Sequence, residues 1–400
     1  MRKKVTIIGG GACALMLGCE LDPLKFEVAI YEKNAALGRK FLVAGDGGLN
    51  LTHSENKVEF IKRYTPPGFI TEAFDCFSNE DFVTWLNALG VETFVGSSGR
   101  IFPVKGTKPI EVLNALLSKI ESNAASLHYK HEWLGFSENN ALVFKNSKGT
   151  MAVQSDYAIF CMGGASWPVT GSTGHWAGFF EEKKITVNPF LASNCTFKIN
   201  WDKKLLEGAE GKVLKNCAIT CAGSTHLGEV VITSFGIEGS GIYPLSPQIR
   251  EQLKHAGEAQ VVIDLKPSLS FDKLLEKLSA KKITTNFTTH VKAQLNLSDT
   301  QLRLLKHVVS KDDFLDIKKL CAHVKNLKLT ITGTGPVADA ISTVGGIDLL
   351  EVDRFFELKK MPRFFAIGEM LDYDAPTGGY LLQSCFSMAK FLSGYLNAKE

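Results

Sequence analysis

The chain has 400 residues, 45% hydrophobic and 22% charged, with 36 glycines and a formal net charge of +3. That length implies two or three domains, the composition is that of a globular enzyme, and the small net charge excludes a global basic field for nucleic acid while leaving a local patch open. No apolar run reaches the length of a membrane span, and nine dispersed cysteines without a CxxC pair or zinc spacing predict reduced thiols, a cytoplasmic location and no metal site.

Val5–Ile8 reads as a short buried strand, followed by a glycine turn, a helix (Ala12–Leu21) and a strand (Phe26–Tyr31). Arg2, Lys3 and Lys4 before an apolar run resemble a secretory signal. The strand that follows, and three consecutive glycines in the run, exclude that reading. Residues 34–56 read as a glycine-rich loop. Helices are predicted over Asn79–Leu89 and Pro109–Ser122, with the turn GSSGRIFP between them, and strands from 127 to 160. The strand Tyr157–Met162 ends at Gly163-Gly164. Residues 195–265 read as short strands between Gly/Ser turns, 271–323 as Lys-rich helices, and 327–332 as a strand. After Gly345-Gly346 come the strand RFFAIGE, a glycine loop and a last helix, Leu382–Leu396. The predicted fold is α/β: a Rossmann-like domain in two pieces, 1–189 and 336–400. Residues 190–335 form an inserted β-rich, barrel-like domain with a helical subdomain at about 270–323.

Gly9-x-Gly11-x-x-Ala14 follows a strand and opens a helix. Gly9 permits the tight turn, Gly11 lets backbone approach a pyrophosphate, and Ala14 allows close helix–strand packing. The helix N-terminus offers free N–H groups and partial positive charge to phosphates. Glu32, ending the second strand, suits a ribose diol and disfavours a 2′-phosphate. Lys33, Gly38, Arg39 and Lys40 follow it. Near the C-terminus, Gly368-Glu369 ends a strand and Thr377-Gly378-Gly379-Tyr380 precedes a helix whose N-terminus can stabilise negative charge on a reduced flavin. A returning segment of that kind favours FAD over NAD.

With these residues in place, the chain resembles the BaiN/RdsA-like flavoproteins, also called the YhiN family. The resemblance rests on IIGGGACA, GRKFLVAGDGGLNLTH, AIFCMGGASWPVTGSTG, EVVITSFGIEGSGI and STVGGIDLLEVD…AIGEMLDYDAPTGGYLLQ. It implies an FAD protein with a split Rossmann-like domain, and it places Gly9, Gly11, Glu32, Arg39, Lys40, Gly368, Glu369, Gly379 and Tyr380 along the cofactor, with Gly163 and Gly164 near it. Family members are linked to reduction of a ribosomal RNA uridine and, by name, to bile-acid metabolism. This chain departs from the family in one run. Where many members carry GGGRCN, it has Asp46-Gly47-Gly48-Leu49-Asn50; His53 replaces an Asn, and so does Leu381.

Other signals are weighed beside it. A second GxGxxA (Gly333, Gly335, Ala338) has Pro336 in its turn and Gly345-Gly346 soon after, so it reads as a hinge rather than a second nucleotide site. The absence of a cysteine between Cys19 and Cys76 argues against a dithiol mechanism. Cys161 and Cys385 read as buried structural thiols. His53, His175 and Tyr380 are the candidate catalytic residues. Asp372 and Asp374 can orient loop amides or ribityl hydroxyls. Lys273, Lys277, Lys281, Lys282, Lys318, Lys319, Lys325 and Lys328 read as a solvated helix face, with RNA phosphates as the alternative.

The expected function is FAD-dependent hydride transfer between flavin N5 and an activated C=C bond, a uracil in ribosomal RNA being one case. The substrate, a small molecule or RNA, would lie between the FAD domain and the insertion. NAD(P)H would act as electron donor without a Rossmann domain of its own. The alternative is a non-catalytic flavin-binding sensor or RNA-associated factor. Oligomeric state is left open.

Overall fold

The computed structural model describes residues 1–44, 48–280 and 286–400. Asp46, Gly47, Lys281 and Lys282 lie outside the described residues. The chain divides into two compact units, Met1–Leu191 with Ile341–Glu400, and Ala192–Ala340.

The first unit is built on a parallel sheet. Strand β1 (Lys3–Ile8) leads into helix α1 (Ala12–Glu20) and strand β2 (Phe26–Glu32). The sheet runs Phe364–Ala366, Tyr157–Phe160, β1, β2, Ser126–Tyr129, with every pair parallel. Val5, Ile7 and Ile8 are buried because both faces of such a sheet are covered. All residues of α1 from Cys13 to Cys19 are buried. The helix is wedged against Pro109–Ser122 and the C-terminal helix Tyr380–Lys399. Leu15, Met16 and Leu17 are fully buried there, each burial being worth roughly 1.5–3 kcal/mol.

Residues 34–56 are not all loop. Helix α2 (Arg39–Ala44) begins where the Leu42 N–H meets the Gly38 carbonyl, and Phe41 packs into the core. Arg, Lys, Phe and Leu carry enough helix propensity for one short helix once Phe41 anchors it. Strand β3 (Thr52–His53) then pairs antiparallel with Arg100–Pro103. Leu49 is buried, and Gly48 has φ +117° beside Phe102. The last helix starts at Tyr380, two residues earlier than expected, capped by Gly379 at φ +95°.

The second unit holds an antiparallel seven-stranded sheet. Its order is Leu327–Ile331, Ala259–Asp264, Val213–Cys221, Ser224–Ile232, Gly236–Glu238, Phe197–Lys198, Gly333–Thr334. The first and last of these strands are one stretch of chain with only Thr332 between them, so the sheet curls back on itself as a barrel-like layer. Among the described residues five helices lie between Phe271 and Lys325, and two of them, Asp299–Val308 and Ile317–Lys325, pack on the sheet. Two more helices, Lys203–Ala209 and Ser246–Ala256, interrupt the segment expected to be strands. Asp202 caps the first through the Lys204 N–H. Pro247 in the first turn and Gly257 at the C-terminal end delimit the second. The second GxGxxA opens no helix: a 3₁₀ turn, Val337–Asp339, follows Gly335, whose N–H binds the Thr196 carbonyl at 2.7 Å. All nine cysteines are free.

Candidate functional site

A cleft of about 340 Å³ lies at the carboxyl ends of β1, β2 and the strand Tyr157–Phe160, the edge where open parallel sheets bind ligands. Gly9, Gly10 and Gly11 form its floor. Gly9 has φ +96°, and a Cβ there would sit 2.6 Å from the Cys161 carbonyl oxygen, so only glycine closes this turn. A Cβ on Gly11 would meet nothing nearer than 3.8 Å; it would enter the cleft instead of the protein. Helix α1 has no side-chain cap at Gly11, which leaves its first-turn N–H groups for a ligand. Ala14, 0% exposed, acts through packing and does not line the cleft.

Glu32 is held by its neighbours. Its Oε2 accepts the Gly10 N–H at 2.8 Å, and its Oε1 accepts the Asn34 N–H and Nδ2 at 2.7 and 2.6 Å. A carboxylate has about four acceptor positions, so one remains for a ribose hydroxyl. Asn34 in turn accepts from Arg39 Nη1 at 2.6 Å. Lys33, Gly38, Arg39 and Lys40 all line the cleft, as do Gly163 and His175. The turn after Cys161 is fixed by Trp176 Nε1 donating to the Gly163 carbonyl at 3.0 Å and Ser172 Oγ donating to that of Gly164 at 2.8 Å. Trp133 lines the far wall. It is 7% exposed, and its indole N–H has no hydrogen-bond partner among the described residues.

The C-terminal segment reaches this region through an ion pair. Lys40 Nζ lies 3.0 Å from Glu369 Oε2 and donates to Ser166 Oγ at 2.8 Å; Glu369 Oε1 accepts the Thr343 N–H at 3.0 Å. Gly164, Gly368, Glu369, Asp372, Gly378, Gly379 and Tyr380 do not line the cleft itself. Asp372 instead accepts from Asn188 at 2.7 Å and from the Gly345 N–H at 2.9 Å. Asp374 pairs with Thr65 through its backbone. Cys13 and Cys385 both abut Gly368. Hydrogen bonding with Cys385, and then burial, push the Cys13 thiol well up, and burial does the same to that of Cys161. All three side chains are buried.

A second cluster surrounds Tyr380. Its hydroxyl donates to Glu55 Oε2 at 2.7 Å, and Glu55 is paired with Arg63. The His53 ring stacks on Tyr380 at 5.4 Å. His53 Nδ1 accepts the Glu55 N–H at 3.0 Å, so its proton sits on Nε2 and is donated to the Ser98 carbonyl at 3.0 Å. Burial and Glu55 both raise the Tyr380 phenol. Burial would raise the Glu55 carboxyl too, but hydrogen bonds from Arg63 and Tyr380 outweigh it and hold Glu55 below the usual carboxylate range. Glu55, Arg63, Asn34 and Trp133 carried no sequence signal. Each comes from a different loop or strand, and only the fold brings them to their partners. Among the described residues no helix is long and apolar enough to cross a membrane, and no three His, Cys, Asp or Glu side chains gather as metal ligands.

The sequence model of the family described as HI0933-like protein Rossmann domain matches residues 3–395. A ribosomal RNA dihydrouridine synthase of Haemophilus influenzae is 24% identical, with 96% of each chain covered. A 3-dehydro-bile acid delta(4,6)-reductase of Clostridium scindens is 23% identical, over 98% of this chain and 97% of that one. The fold is similar to that of 3-ketosteroid delta1-dehydrogenase from Sterolibacterium denitrificans, at a TM-score of 0.51 and 10% identity with both chains fully covered.

Proposed function

The chain belongs to the HI0933-like Rossmann family and is a flavin-dependent oxidoreductase; from that premise we propose that it reduces an activated C=C bond, with a uracil of ribosomal RNA as the leading substrate. The observation that carries the cofactor part is the cleft floor: an uncapped helix N-terminus over Gly9–Gly11, beside a Glu32 with one acceptor position left. These residues fit the diphosphate and ribose of FAD. Arg39 and Lys40 add positive charge on the same wall.

When bound, the flavin supplies hydride at N5 of its reduced ring. The chain's own residues must orient the substrate, exclude water and provide a proton. His53 has both ring nitrogens engaged, and the Tyr380 proton is committed to Glu55. His175 lines the cleft, is exposed, and has no hydrogen-bond partner among the described residues. It is therefore the proposed proton source. Replacing His175 with Ala should slow substrate reduction by about 10²–10⁴-fold in the FAD-saturated protein; an unaltered rate refutes this role.

The first test is the colour of the purified protein. A stoichiometric yellow chromophore, released as FAD on denaturation, is expected, and a colourless protein that takes up no FAD ends the proposal. Mapping dihydrouridine in ribosomal RNA from a deletion strain tests the substrate: an unchanged map excludes ribosomal RNA. The names of the two curated relatives support the two substrate classes to compare, a pyrimidine in RNA and a steroid-like enone. NAD(P)H as electron donor is tested by stopped-flow reduction of the holoprotein. The RNA reading also places the protein in the cytoplasm.

A further inference from the structure

Trp167 follows the Gly163-Gly164 turn and adopts φ 59° and ψ 59°, the left-handed region, immediately before Pro168. That conformation is unfavourable for a bulky side chain, and a following proline restricts it further. The surroundings impose it. The Trp167 carbonyl accepts both the N–H and the hydroxyl of Thr170, at 2.9 and 2.7 Å, and the Gly171 N–H closes on the Pro168 carbonyl at 2.9 Å. Ser166, on the other side, is fully buried and accepts from Lys40. Both Lys40 and Thr170 line the dinucleotide cleft, so Trp167 is pinned at its border.

Strain held in this way at a cleft edge points to a use. The Trp167 indole is half-buried and packs on no other ring among the described residues. Trp85, Trp133, Trp176 and Trp201 each pair with an aromatic neighbour. Pro168 is exposed and Val169 is 74% exposed, so the residues that follow Trp167 are apolar and open to solvent. We propose that Trp167 is the stacking platform for a planar conjugated carbonyl ring of the substrate. This inference rests on the proposed oxidoreductase function and narrows its substrate class.

The test is calorimetric binding to the FAD-loaded protein, with uridine and a 3-keto-Δ4 steroid as probes. Trp167→Leu should weaken binding of the preferred ring about tenfold, the scale of one aromatic–base stack, and Trp167→Phe should keep it within about threefold. Which probe responds identifies the ring. Trp167→Gly relieves the left-handed strain, so it should lose binding with an unchanged or raised melting temperature; a merely structural indole predicts a lower one. Equal binding by wild type and Trp167→Leu, or no binding of either probe by wild type, overturns the platform. A protein without flavin refutes the proposed function instead.

Discussion

At the scale of single residues, the cleft is organised by side chains that serve the protein and the ligand together. Glu32 fixes the glycine turn through the Gly10 N–H and keeps one acceptor position free. Glu32→Ala should raise the FAD dissociation constant about 10- to 100-fold, the value of one charged hydrogen bond; titration of apoprotein with FAD measures it, and unchanged affinity refutes the role. Lys40→Met leaves Glu369, whose side chain is 8% exposed, without its cation. A loss of about 1–3 kcal/mol is expected in urea unfolding, with much of it recovered by adding Glu369→Gln. Glu55 carries a pH signature. Its folded carboxyl is depressed by Arg63 and Tyr380 against the upward push of burial. Its stabilising contribution is therefore present above the usual value of 4.5 and is lost as pH falls through the folded value. In Glu55→Gln the decline of stability below pH 4.5 should flatten; an acid limb as steep as wild type would exclude the pair from that transition.

At the scale of elements, what was legible in the sequence followed local chemistry. The β1–α1–β2 unit could be read because a continuous apolar run, a glycine turn and a terminal acid lie within thirty residues, where period and spacing act directly. Helix α2 was missed because its neighbours are glycines and its anchor, Phe41, gains only from a core assembled elsewhere. Helices Lys203–Ala209 and Ser246–Ala256 were missed for a related reason: they open at Asp202 and at Ser246-Pro247, and the same Asp, Ser and Pro residues mark turns between strands. The Glu55–Arg63–Tyr380 cluster was invisible because 325 positions separate Glu55 from Tyr380. Gly379 could be read as a loop glycine, but not its reason. A Cβ there would sit 2.5 Å from the Thr52 backbone, at φ +95°. Gly379→Ala should cost about 2 kcal/mol or more and lower the melting temperature; a neutral substitution would show that the loop can move off β3.

At the scale of the whole molecule, the small net charge conceals an uneven distribution. Residues 192–340 carry 20 Lys and Arg against 15 Asp and Glu, and the rest of the chain carries 25 against 27. If ribosomal RNA is the substrate, Lys273→Glu with Lys277→Glu should weaken RNA-fragment binding and reduce its salt dependence; salt-independent binding would argue for the small-molecule reading. The order of strands has a consequence for how the chain is made. Phe364–Ala366 completes the parallel sheet beside Tyr157–Phe160, and α1, from the first twenty residues, is covered by the helix formed from the last twenty-one. During synthesis the glycine turn precedes its covering helix by more than 350 residues, so α1 keeps part of its apolar face uncovered until residues 380–399 have been made. Such a long-range closure is slow, and a nascent chain stalled before Tyr380 presents that face to chaperones rather than to a cofactor.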